Sequence, residues 1–207
     1  MLEFTTEQES FRSVVREFAE SEIKPNAEEW DRNHTFPTST VQAMGQLGLF
    51  GLMFSEEWGG SNAGLVTQCL AIEEIGRVDQ SMGITLEAAV SLGARPIAEY
   101  GTDDQKAQWL PDLVSGQRLA GFGLTEPDYG SNPGGMISKL EDKGDHYLLN
   151  GSKMWISNSP KADIAVVWAK DCLLYTSPSP RDQRGSGVGG CGWKKKEGGG
   201  GGGGGGG

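Results

Sequence analysis

The apolar residues of this chain change their spacing once, and that change constrains the fold more than any other feature. Up to about residue 117 they recur as on amphipathic helices; beyond it they form short strand-like runs. The sequence predicts an α+β chain: an all-helical domain over residues 1–117, then part of a β domain over 118–171, joined near Gln117. Thr6 and Glu9 read as a capping box, with Phe11, Val14, Val15 and Phe18 following at helical spacing and Pro25 closing the helix. A short helix around "PNAEEWDRN" and another carrying Val41, Met44 and Leu47 up to Gly48 come next. From Leu65 the pattern predicts two helices broken near Asp79 to Gly83, then a helix capped by Thr102 and Gln105 and ended by Gly116. In the β part, "RLAGFGLTEP" predicts a strand entering a glycine-rich turn. The runs around Asn150-Gly151 predict a hairpin, and "ADIAVVWAK" predicts a buried strand.

Residues 172–207 carry no such pattern. They begin "CLLYTSPSPRDQRGS", end in ten consecutive glycines and hold 15 of the chain's 33 glycines. Polyglycine has no side chain to bury and cannot offset its ordering entropy, so this segment is expected to be a non-native, disordered tail. On this reading the native text stops at Asp171, before its natural end.

Charge narrows the function classes. Residues 1–171 hold 26 Asp+Glu against 13 Lys+Arg, a formal charge of 13 − 26 = −13. That surface argues against binding nucleic acid through its phosphates and against adhesion to anionic membranes. With no apolar run of membrane-spanning length and no leader-like N-terminus, the cytoplasm is the expected compartment. Cys69 is the single cysteine before the tail and falls on the apolar side of "LVTQCLAIEEIG", so it is expected in the core. His34 and His146 have no partners at metal-ligand spacing, so no metal site is expected.

The chemistry-bearing candidate is "GFGLTEPDYGSNPGG", Gly121 to Gly135. It lacks the third glycine and strand-to-helix context of a dinucleotide fingerprint, and the chain has no P-loop. What remains is a strand-exit turn with Thr125, Glu126, Pro127, Gly130 and Ser131. Such a turn can gather backbone N–H groups and hydroxyls around a polar heterocycle, or it can be an ordinary hairpin loop. Composition leaves both open.

"FGLTEPDYGSNPGGM", followed by "WIS" within "LNGSKMWISNSPKADIAVVWAK", resembles the flavin-binding signature of the acyl-CoA dehydrogenase family. "LGLFGLMFSEEWGG", "EEIGRVDQS" and "EYGTDDQKAQWLPDLVSG" match family patterns in order, so the resemblance covers residues 1–171 and none of the tail. It implies a helical N-terminal domain, part of a middle β-barrel domain, and a C-terminal helical bundle that this chain does not reach. It implies FAD as cofactor. Phe122 to Ser131 would run along the isoalloxazine ring toward the pyrophosphate: Leu124 and Thr125 at the ring's pyrimidine edge, Gly130 and Ser131 near the phosphates, with Ser131 also near the acyl-CoA pantetheine. Trp155, Ile156 and Ser157, on the next strand, would supply an aromatic wall and a hydroxyl near N5; the alternative for Trp155 is a β-core side chain.

The implied reaction is α,β-dehydrogenation of an acyl-CoA thioester, the β-hydrogen passing to flavin N5. The base would be a glutamate of the C-terminal helices, so no catalytic residue is assigned here: Glu126 reads as structural and Glu87 as a solvated helix-face residue. The chain by itself is expected to be inactive. Implied partners are the acyl-CoA, an electron-transfer flavoprotein as acceptor, and further copies in a homo-oligomer. The wording is closest to the glutaryl-CoA dehydrogenase branch. The arginine that holds the distal carboxylate there aligns with Gly83, and Arg95 lies two turns or more further on and is expected to face elsewhere, which favours a neutral acyl chain. An acyl-CoA oxidase of the same fold and a non-catalytic helical interaction module are the alternatives.

Overall fold

The computed structural model describes residues 3–171; the tail expected at 172–207 lies outside the described residues. Seven α-helices among them precede the first strand: α1 Thr6–Phe18, α2 Ala27–Arg32, α3 Thr38–Gln46, α4 Gly64–Gly76, α5 Gln80–Glu87, α6 Arg95–Tyr100 and α7 Asp103–Val114. Both ends of this series are set by local chemistry. The α1 capping box is formed one residue before the expected pair: Thr5 accepts from the Gln8 N–H, and the Gln8 side chain accepts from the Thr5 N–H. On α7 the expected Thr102–Gln105 box is present. The break between α4 and α5 falls at 77–79, where Asp79 accepts from the Ser81 and Met82 N–H groups and caps α5.

α5 does not stop at Glu87. A π-helical stretch, Ala88–Ala94, carries it into α6, and it packs against the first strand. Wide turns of this kind recur at functional sites. A Cβ on Gly93 would fall 2.3 Å from the Cβ of Ala120, so only glycine lets strand and helix approach this closely.

Phe50, Ile23, Met44, Leu49, Ile75, Met82, Leu86 and Leu110 fill the helical core. One charged side chain lies among them. Glu74 of α4 is fully buried and accepts from Arg12, Arg16 and Arg77. Hydrogen bonds from Arg16 pull its pKa down against the opposing effect of burial, and with help from Arg12 and Arg77 it falls to about 2. This ion cluster locks α1 onto α4. It also explains why Cys69 is exposed rather than in the core. The inward side of α4 is Thr67, Gln68, Leu70, Ala71, Glu74 and Ile75, while apolar Leu65 and Val66 stay outside. With apolar residues on both sides, periodicity could not choose the buried face.

The strands are β1 Ala120–Gly123, β2 Lys139–Asp142, β3 Tyr147–Asn150, β4 Ile164–Val167 and β5 Lys170–Asp171. β1 pairs with β4 in parallel, Ala120 opposite Ile164; β2 lies between antiparallel β3 and parallel β5. The hairpin turn falls at residues 143–146, with Gly144 at φ 91°, and not at Asn150-Gly151. Asn150 is the last paired residue of β3, opposite Lys139, so the Asn-Gly pair marks the exit from the ladder. The segment expected as a Trp155-bearing strand is a turn: Trp155 and Asn158 have φ of 59° and 65°, which no strand accommodates. The "ADIAVVWAK" strand is also only half buried: among the described residues β4 pairs with β1 alone, and Ala165 and Val167 face outward.

No helix among the described residues is long and apolar enough to cross a membrane.

Candidate functional site

Three elements meet at one cleft. The end of β1 and its exit supply Phe122, Leu124 and Thr125; the left-handed turn supplies Trp155, Ile156 and Ser157; the π-helical stretch supplies Ala88 and Leu92. The cleft volume is about 230 Å³. That is below the ~300–1,000 Å³ of pockets that bury a drug-sized ligand, so it suits one ring system of a larger molecule.

The turn is held in place by Asn158. Its buried amide donates to the carbonyls of Thr85 on α5 and Ala120 on β1, so helix, strand and turn share one anchor. Trp155 is 76% exposed, so among the described residues it is not a core side chain. A bulky residue held at φ 59° costs roughly 1–3 kcal/mol, and such strain concentrates at binding sites.

The walls are mostly apolar, with two hydroxyls set among them. Neither the Thr125 nor the Ser157 hydroxyl makes a hydrogen bond among the described residues. Two hydroxyls accessible at the rim of a mostly apolar cleft suit a flat ligand with a polar edge. Gly130 and Ser131, expected near the phosphates and the pantetheine rather than the ring, lie on an exposed loop outside the cleft lining.

Behind the cleft lies a buried ion pair. Lys153 donates to Glu126 Oε1 at 2.8 Å and to the Leu124 carbonyl at 3.0 Å. The Glu126 carboxylate also accepts from the N–H groups of Ile137, at 2.6 Å, and Ser138, at 2.9 Å. Burial works to raise its pKa, but the Ile137 N–H, Lys153 and Ser138 outweigh it and bring the value to about 2. A carboxylate so occupied is structural. Lys153 was missed by sequence reading, although it stands in the "GSKMWIS" motif beside the aromatic that drew attention. Ala88, Leu92 and Asn158 carried no local signal.

Gly83 does not face this cleft. It lines a second hollow with Ile72, Glu73, Gly76, Gln80 and Ile84, and a Cβ there would fall 3.0 Å from the Gly76 Cα. Contact between α4 and α5 thus disfavours any side chain at 83. Arg95 is exposed and pairs with Glu99 on the surface. No cation lines the cleft among the described residues.

Comparison with known proteins fits this geometry. The family model for the acyl-CoA dehydrogenase N-terminal domain matches residues 5–117, and that for the middle domain matches 121–188. The chain belongs to the acyl-CoA dehydrogenase family. It is 42% identical over 165 residues to the short-chain specific acyl-CoA dehydrogenase of Clostridium acetobutylicum, covering 80% of this chain and 44% of that protein. A glutaryl-CoA dehydrogenase from Mycobacterium smegmatis solved in complex with FADH2 superposes with a TM-score of 0.79 at 36% identity, over 82% of this chain and 44% of that one. A chain from a structure described as the electron transferring flavoprotein of Acidaminococcus fermentans superposes with a TM-score of 0.78 at 39% identity, with the same two coverages. The chain thus spans less than half the length of the relatives it matches.

Proposed function

We propose that the whole protein is a flavin-dependent acyl-CoA dehydrogenase and that the cleft holds the isoalloxazine ring of FAD. One observation carries this reading: two separate motifs and a π-helical stretch converge on a mostly apolar slot whose two hydroxyls make no hydrogen bond among the described residues. Bound there, FAD would supply a two-electron acceptor for the hydrogen lost from the substrate's β-carbon. Thr125 and Ser157 would hold the ring's polar edge. Phe122, Ile156 and Trp155 would cover its faces and keep water away. Gly130 and Ser131 stand outside the slot, where they remain candidates for the phosphates and the pantetheine arm.

The α-proton needs a base that this cleft lacks. Glu126 is committed to Lys153 and two backbone amides, and Glu87 does not line the cleft. We assign the base to the C-terminal helical region that the family resemblance implies, and accordingly no activity to this chain alone.

For the substrate we favour a neutral acyl chain. A distal carboxylate would need a buried cation, and the lining offers none. The Gly83 argument is weaker, since that position faces α4. A glutaryl-CoA dehydrogenase remains the alternative within the family, and an acyl-CoA oxidase the alternative in electron acceptor. An electron-transfer flavoprotein as acceptor, a homo-oligomer and a cytoplasmic setting complete the proposal.

We divide the chain at 117/118. Residues 172–207 stay in that division as a non-native extension, against which stands the middle-domain match running on to 188. The source DNA past the codon for Asp171 decides between them. The function itself is tested by adding a series of acyl-CoA thioesters to the whole protein with FAD and following bleaching of the flavin absorbance. Bleaching by neutral acyl-CoAs is expected; no bleaching by any thioester would overturn the reading.

A further inference from the structure

One peptide unit in the cleft wall is wired asymmetrically. At its carbonyl end, Leu124 accepts a hydrogen bond from the Lys153 ammonium at 3.0 Å. At its other end, the Thr125 N–H donates to nothing among the described residues, and both residues line the cleft. The ammonium is held firmly. Its side chain is 11% exposed, and Glu126, 1% exposed and itself bound by Ile137 and Ser138, fixes it from the far side. The next residue ties the same walls again, the Met154 N–H donating to the Thr125 carbonyl at 2.9 Å.

A cation on a peptide carbonyl draws electron density toward the oxygen and makes the N–H of the same unit a stronger donor. Chained hydrogen bonds strengthen one another by about 10–30% each, and low local polarity preserves the effect. The Lys153–Glu126 pair is neutral as a whole, so its field falls off quickly with distance. Its influence is therefore greatest on the one carbonyl it touches.

We propose that Lys153 is a positioning residue: through the Leu124 carbonyl it holds and polarises the Thr125 N–H, making it a donor that favours the electron-rich, reduced state of the ring in the cleft. This rests on the flavin reading above. A ring edge gaining negative charge on reduction is bound more tightly by a strong fixed donor, which raises its potential. A clamp with no polarising role would leave the potential where it is.

The test uses the whole protein with FAD. Lys153→Met alone would leave a buried carboxylate unpaired and endanger folding, so it is combined with Glu126→Gln. Glu126→Gln and Lys153→Arg are made separately. Melting temperature, FAD affinity and the midpoint potential of bound FAD are measured for each.

The Met/Gln pair is expected to bind reduced relative to oxidised flavin about tenfold less well than wild type, a drop of ~30 mV for a two-electron couple. Lys153→Arg restores most of it. Glu126→Gln, which keeps the cation and removes its counter-charge, shifts the potential upward. Opposite signs for these two changes are the signature of polarisation, because loosening a mere clamp moves both the same way. Equal potentials in all four proteins, or shifts of one sign, overturn the role of Lys153 while leaving the flavin site standing. Failure of the wild type to bind FAD would instead remove the flavin reading, and this inference with it.

Discussion

Gly93 of the π-helical stretch and Ala120 of β1 approach so closely that a Cβ on residue 93 would fall 2.3 Å from the Ala120 Cβ. The same π-helical stretch packs on β1 and lends Ala88 and Leu92 to the cleft lining. Gly93→Ala should therefore separate helix and strand. The expected cost is about 1–3 kcal/mol, as for other overpacked core substitutions. Denaturant melts measure the loss, and FAD affinity should fall with it.

The hydroxyls of Thr125 and Ser157 make no hydrogen bond among the described residues. Thr125→Val and Ser157→Ala should each leave the melting temperature nearly unchanged. Each should weaken FAD binding by roughly 3–10-fold, the equivalent of one hydrogen bond of ~0.5–1.5 kcal/mol. Fluorescence titration against the purified variants reads both numbers.

Trp155 separates stability from binding more sharply. Its backbone is left-handed and its side chain mostly in solvent, so the fold gains little from the indole. Trp155→Gly should raise stability by ~1 kcal/mol through relief of strain, as such sites trade stability for function. The same variant should bind FAD less well. A thermal melt and a titration on one preparation check both directions.

Acid unfolding has a defined window. The carboxyls of Glu74 and Glu126 sit near 2 in the folded chain against an ordinary glutamate value of 4.5. A lowered folded pKa gives stability that is fully present above about pH 4.5 and lost as pH falls through about 2. Glu74→Gln should flatten this dependence and lower stability at neutral pH, because three arginines lose their common acceptor. Urea melts across the acid range measure it.

Particular residues explain how much of this was legible in the sequence. Thr102 and Gln105 announced their helix because a capping box is written within four residues. At α1 the neighbouring Thr5 and Thr6 offered the same chemistry one residue apart, and the wrong pair was favoured. Cys69 was misassigned because α4 is apolar on both sides, and its inward face is chosen by the arginines of α1 around Glu74, a contact no local window contains. Asn150-Gly151 carried a true turn signal at the end of a ladder whose hairpin lay elsewhere.

At the cleft, the glycine-rich turn stood out by composition and the Trp155–Ser157 motif by the family resemblance, and their six lining residues do meet. Gly130 and Ser131, expected at the phosphates and the pantetheine, lie beyond the Glu126 corner on an exposed loop. Ala88 and Leu92 were illegible. Small apolar residues in a helix look the same whether they face a core or a ligand, and the wide turn that carries them has no sequence mark.

The most direct test of the central claim is a crystal structure of the whole protein grown with FAD. The isoalloxazine ring is predicted between the Phe122–Thr125 wall and the Trp155–Ser157 turn, its polar edge within hydrogen-bond reach of the Thr125 and Ser157 hydroxyls. A ring bound elsewhere, with both hydroxyls facing water, would contradict the account.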